Sequence, residues 1–103
     1  MKYLFFSAAD RRQDEIWHYT VENWGKEQAV QYIEGLHSAI ARAAQRNQVW
    51  RNPMHPKLPG IYFIRYEHHY VFFRELPNKV IGVISILHEN MDLPSHLEDD
   101  LGP

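Results

Sequence analysis

The residues best equipped for chemistry stand at the end of an apolar run. His88-Glu89-Asn90-Met91-Asp92 follows directly on Val80-Ile81-Gly82-Val83-Ile84-Ser85-Ile86-Leu87. A histidine at a strand end titrates near neutrality and can act as general acid or base. Cleaving RNA through its 2′-hydroxyl would need such a base, an acid for the leaving oxygen, and Arg or Lys against the phosphorane charge. Lys57, Arg65, Arg74 and His88 are the candidates. Of these only His88 has the chemistry of a general acid or base, and no compact basic cluster accompanies it in the sequence. The simpler role for His88 is to end a buried strand and hydrogen-bond the backbone there. That reading is preferred, and no catalytic residue is assigned.

Seven histidines also raise the question of a metal. His68 and His69 are adjacent and point to opposite sides of an extended chain. His88-Glu89 lacks the second histidine of a His-Glu-x-x-His helix. His18 and His37 lie in separate helical stretches with no spacing that pairs them. Scattered surface histidines explain the count, so neither a metal nor another cofactor is expected.

Composition narrows the classes further. A chain of 103 residues fits one domain, and its 45% apolar and 14% aromatic content supplies one compact core. Lys and Arg total 11 against 13 Asp and Glu, for a net charge of -2. Phosphate neutralisation needs clustered cations, so direct specific binding of nucleic acid is not expected. The absence of cysteine excludes disulfides and a zinc ribbon and suits a reducing compartment. The apolar run in MKYLFFSAADRR is too short for a signal peptide core or a membrane span. A cytoplasmic protein without membrane contact is expected.

The elements that must position these residues follow from pattern. Lys2 to Phe6 has strand propensity, and Ser7 reads as a helix N-cap with Asp10 in the first turn. Ile16, Thr20 and Trp24 recur at helical spacing, with Trp17 and Val21 on one flank and Tyr19 on the other. Trp24 is expected in the core, while Trp17 and Tyr19 suit either core packing or a partner's groove. Gly25 ends that helix. Ala29, Tyr32, Ile33, Leu36, Ile40, Ala43 and Ala44 then mark one face of a second helix, which fades near Arg46-Asn47. So short a link predicts an antiparallel helical hairpin.

Pro- and Gly-rich punctuation to Gly60 is followed by three strands: Ile61 to Tyr66, Tyr70 to Glu75, and Val80 to Leu87. The prediction is an α+β domain in the order strand, helix, helix, three strands, its hairpin packed on a mostly antiparallel four-stranded sheet. Residues 1–96 form the domain, and the acidic tail, 97–103, is expected to fray. In the second strand Tyr62, Ile64 and Tyr66 alternate with Ile61, Phe63 and Arg65, so both sheet faces are substantially apolar. Either a partner's extended segment or this chain's own tail must cover the face away from the hairpin.

Several words of the sequence, taken in order, resemble the ParE toxins of bacterial toxin–antitoxin modules, within the wider RelE/ParE superfamily. They are Ile16-Trp17-His18-Tyr19-Thr20, Trp24-Gly25-Lys26-Glu27-Gln28-Ala29 with Tyr32, His69-Tyr70-Val71-Phe72-Phe73-Arg74, and Ile86-Leu87-His88 with Met91-Asp92. The likeness runs from Tyr3 to Leu93. One departure stands out: many ParE proteins carry Arg where this chain has Tyr62, and Arg65, an odd offset away, points to the other face.

The resemblance implies a toxin that poisons DNA gyrase by binding and is silenced by a ParD-like antitoxin with a DNA-binding N-terminal part. It implies a binding protein rather than an enzyme. The alternatives are a RelE-like mRNA-cleaving ribonuclease and an inactive member that serves only as antitoxin partner. On this reading Trp17, Tyr62, Arg65 and Arg74 contact the antitoxin. His88, Glu89, Met91, Asp92 and Leu93 contact the target.

Overall fold

The structure, a computed structural model, describes residues 3–52 and 59–101. Strand β1 (Tyr3–Phe5) leads into helices α1 (Ser7–Trp24) and α2 (Lys26–Gln45), then β2 (Ile61–Tyr66), β3 (His69–Leu76), β4 (Val80–His88) and a last helix α3 (Leu93–Leu101). The sheet order is β1-β4-β3-β2, with β1 parallel to β4 and the other pairs antiparallel. This is the expected α+β architecture, with one helix more than expected.

Local chemistry sets the helix ends. Phe6, in extended conformation, occupies the N-cap of α1, and no side chain caps the helix. Ser7 is therefore the first helical residue and not the cap. Gly25 serves both helices: its N–H donates to Val21 O at 3.0 Å, and its carbonyl accepts from Ala29 N–H at 3.2 Å. Its φ of 92° and ψ of 168° fall in a region that side chains avoid, so one glycine makes the whole reversal.

The hairpin buries Ala9 and Ile16 of α1 and Leu36, Ile40 and Ala43 of α2 against Ile64, Val71, Phe73, Ile81, Val83 and Ile86. The α2 stripe is the predicted one. The α1 stripe stops a turn early. Trp24 is 63% exposed, because α1 ends on it and the chain reverses at Gly25, and its ring rests on Tyr19 at 5.8 Å.

A bulge in β4 decides what faces what. Phe72 pairs with Ser85 and Phe73 with Val83, which leaves Ile84 as an extra residue. The insertion switches the alternation. Ile81 and Val83 face the hairpin before it; Ile86 does so after it, and His88 follows Ile86 in register.

Ser85 and Leu87 are turned to the opposite face, where α3 lies. There Leu97 joins Ile61, Phe72, Ile84 and Leu87 in a second core, flanked by Met91, Leu93 and Leu101. The segment expected to fray is thus helical through Leu101. Leu93, Leu97 and Leu101 form a stripe at helical spacing, and Asp100 is locked in place. Asp100 accepts from Arg12 Nε at 2.8 Å and from the Ser85 hydroxyl at 2.5 Å, and its side chain is 1% exposed. Of the two candidates for covering this face, the chain's own C-terminal segment does so. No described helix is long and apolar enough to cross a membrane.

Candidate functional site

The β2–β3 turn, the end of β4 and the Gly25 end of the helical hairpin converge at one end of the molecule. Glu67-His68 makes a two-residue turn, with Glu67 in the left-handed region at φ 51°. Antiparallel pairing then sets His69 directly opposite His88, their rings 5.1 Å apart and edge to face. His68 stacks on His88 at 6.2 Å. From α2, the Tyr32 hydroxyl bonds His69 Nδ1 at 2.7 Å, and the Tyr32 ring meets Tyr66 edge-on at 5.1 Å. Tyr66 can lie there because Gly35 on α2 has no side chain: a Cβ would stand 2.0 Å from the Tyr66 hydroxyl oxygen.

Two grooves share Tyr19, His69 and His88. The larger, of about 520 Å³, also takes in Trp24, Gln28 and Tyr32, and no Lys or Arg among the described residues lines it. The smaller, of about 350 Å³, runs from Arg12 and Ile16 to Asn90 and Met91.

Protonation follows from these contacts. Burial pushes His69 down to about 4, and the neighbouring His88 and His68 push the same way. His69 is therefore neutral at pH 7, its Nδ1 joined to the Tyr32 hydroxyl. Burial in turn raises Tyr32 to about 12. Asn90 N–H donates to His88 Nδ1 at 3.1 Å. Both Nδ1 atoms are thus bonded from inside the protein, and in a neutral His88 ring the proton sits on Nε2.

His68 is arranged differently. Its Nδ1–H donates to Glu89 Oε2 at 2.7 Å, since a carboxylate can only accept. Arg65 Nη2 donates to Glu89 Oε1 at 2.6 Å, and Glu89 N–H donates to His68 O at 2.9 Å. The bond from His68, with help from Arg65, holds Glu89 below its ordinary carboxylate value.

The residues assigned from sequence are divided by this geometry. His88 and Glu89 lie in the cluster. Asp92 is exposed at the start of α3, where its carbonyl accepts from His96 N–H at 3.1 Å. Met91 and Leu93 pack against the second core, and Met91 Sδ accepts from His88 N–H at 3.3 Å, so both have structural work where open contact residues were expected. Tyr62 faces the helices, packed between Trp50 at 5.2 Å and Phe73 at 6.2 Å, and is not a free anchor. Arg65 and Arg74, cross-strand partners of Tyr70 and Ile61, lie on the opposite face. Half-buried Trp17 lies apart from them in the helical layer. Lys57 falls outside the described residues.

Sequence reasoning missed His68, His69 and Tyr32 as a unit. The pairing of the start of β3 with the end of β4 was the signal that could have joined them. Among the described residues, no three His, Cys, Asp or Glu side chains gather in a way that could hold a metal ion.

Comparison with known proteins gives a consistent outcome. Residues 3–93 match the family model described as the ParE toxin of the type II toxin–antitoxin system, parDE. Toxin ParE1 of Mycobacterium tuberculosis is 34% identical over 96 residues, covering 93% of this chain and 97% of that protein. Toxin ParE of Escherichia coli is 35% identical over 99 residues, covering 96% and 95%. Among solved structures, a chromosomal ParDE TA system from P. aeruginosa superposes with a TM-score of 0.70 at 22% identity, over 85% of this chain and 95% of that one. The toxin–antitoxin complex RelBE2 from Mycobacterium tuberculosis gives 0.58 at 14% identity, over 84% and 95%. At these identities the structural likeness shows the fold.

Proposed function

The chain belongs to the ParE toxin family of type II toxin–antitoxin systems, and from that footing we propose that it arrests growth by binding DNA gyrase and trapping its cleavage complex. A ParD-like antitoxin binds it directly and silences it in the cytoplasm. The ParDE and RelBE2 systems with which it shares its fold support an antitoxin partner.

The observation that carries the binding reading over an enzymatic one is the state of the two histidines that both grooves share. Asn90 N–H bonds the Nδ1 lone pair of His88, and burial leaves His69 a weak base at about 4, so neither ring is set to abstract a proton. The cations nearest the cluster are also committed, Arg12 to Asp100 and Arg65 to Glu89. What the larger groove presents is an aromatic ledge, Tyr19 and Trp24, beside imidazole rings. Exposed aromatics of this kind anchor protein interfaces. His88, Glu89 and exposed Asp92 remain the target-side contacts of this proposal, and Trp17, Arg65 and Arg74 the antitoxin-side contacts.

One observation favours the ribonuclease reading. The exposed side chain of His68, oriented by Glu89 through Nδ1–H, has no bond at Nε2 among the described residues. Induced expression separates the readings. Growth arrest with intact mRNA and broken chromosomal DNA, relieved by coexpressing the adjacent antitoxin frame, is the expected result. Cleaved mRNA that His68→Ala abolishes would favour the enzyme, and no arrest at all would favour an inactive partner.

A further inference from the structure

The larger groove joins aromatic rings to a carboxylate that has no partner. Two ring pairs line it: Tyr19 against Trp24, centroids 5.8 Å apart, and Tyr32 against Tyr66, 5.1 Å apart. Glu67, in the β2–β3 turn, is the one carboxylate among the described lining residues, and no Lys or Arg stands with it there. Arg65 and His68 hold the neighbouring Glu89, whereas the side chain of Glu67 forms no ion pair or hydrogen bond among the described residues. Its charge reaches the rings. Burial raises the Tyr66 hydroxyl above its ordinary value, and Glu67 raises it further; burial likewise leads the shift at Tyr32, and Glu67 adds to it. Arg42 opposes this at Tyr66 but does not line the groove.

Gln28 and Gln31, on one face of α2, line the same groove with side-chain amides that no described residue bonds. Together these groups choose among guests. An anion would meet Glu67 with no Lys or Arg to offset it. An apolar side chain would strip water from Glu67 and both amides and return no hydrogen bond. A cation is drawn by the carboxylate and by the negative faces of the rings, and the amide oxygens can accept from it. Of the two cationic side chains, a guanidinium is planar and stacks on aromatic rings, while an ammonium is a compact, strongly hydrated charge.

We propose that this groove receives an arginine side chain of the target protein, its guanidinium stacked on the groove's rings and its charge met by Glu67. This rests on the target-binding reading above and gives the target's contact surface a chemistry: a projecting arginine. His88 lines the same groove, which joins the arginine site to a residue already assigned to the target. Arginine, tryptophan and tyrosine are also the side chains that most often carry the energy of a protein interface.

The test uses the full chain and three short peptides, with arginine, citrulline or lysine between glycines. Citrulline keeps the shape of arginine and loses its charge. The arginine peptide should shift the indole N–H resonance of Trp24 and the side-chain amide resonances of Gln28 and Gln31, and should weaken with salt. The citrulline and lysine peptides should bind more weakly. Glu67→Gln, in an exposed turn, should lower affinity for the arginine peptide and for gyrase about tenfold, with an unchanged unfolding midpoint and an unchanged affinity for the antitoxin. No shift with the arginine peptide, or equal binding of the citrulline or lysine peptide, would overturn the proposal. So would a Glu67→Gln variant that binds gyrase as the wild type does, or that weakens only toward the antitoxin, although the target reading would survive either result. Gyrase that does not bind the wild-type chain would remove that reading and the proposal with it.

Discussion

At the scale of single residues, the histidine cluster makes predictions that separate its members. Burial depresses His69 to about 4 from an ordinary 6.5. The unfolded chain then binds the extra proton more readily, so this contribution to stability is present above 6.5 and lost as pH falls toward 4. The urea midpoint of the wild type should fall through that window relative to His69→Asn, and parallel profiles would refute the assignment. Trp24 makes a different prediction. Because it is exposed, Trp24→Ala should shift stability by no more than about 0.5 kcal/mol while weakening partner binding; an unfolding midpoint several degrees lower would return Trp24 to the core. The sequence could not separate Trp24 from Ile16 and Thr20, since all three share one helical stripe. What distinguishes Trp24 is the place where the helix stops.

At the scale of elements, α3 is held by one buried carboxylate. Asp100 bonds Arg12 of α1 and Ser85 of β4; burial opposes its charge, but these bonds prevail and hold it below its ordinary value. Asp100→Ala leaves a largely buried guanidinium with Glu15 and His96 beside it but no buried carboxylate, and should cost about 3 kcal/mol, read as a lower denaturation midpoint. Removing everything after His88 would uncover Ile84, Leu87 and Phe72. Such a truncation is expected to unfold or aggregate, so loss of toxicity in it would say nothing about the target. Gly25→Ala should cost about 1–3 kcal/mol through its backbone conformation alone, and an unchanged midpoint would contradict the one-residue reversal. The stripe Leu93, Leu97, Leu101 was present in the sequence, but its acidic neighbours read as a solvated tail. The bulge was not readable: Val80 to Leu87 is apolar at nearly every position, so no alternation marks Ile84 as the extra residue or shows which way His88 turns.

At the scale of the whole molecule, the hairpin and α3 cover the two faces of the sheet, and the grooves lie at the end where the β2–β3 turn meets the end of β4. The fold was legible because helical and strand periods are local and the family words fall in order. The site was less so, because His69 meets His88 and Tyr32 only through pairing across the sheet and packing between layers. Those surfaces suit a protein that works by holding other proteins, and the central claim is that gyrase is the one it poisons. The most direct measurement mixes the purified chain with gyrase, ATP and plasmid DNA and scores cleaved plasmid after detergent and protease treatment. Cleaved plasmid should accumulate with the wild-type chain, fall with Trp24→Ala, and disappear when the antitoxin is added first. A toxin that arrests growth yet leaves the plasmid uncleaved across all gyrase concentrations would contradict the account.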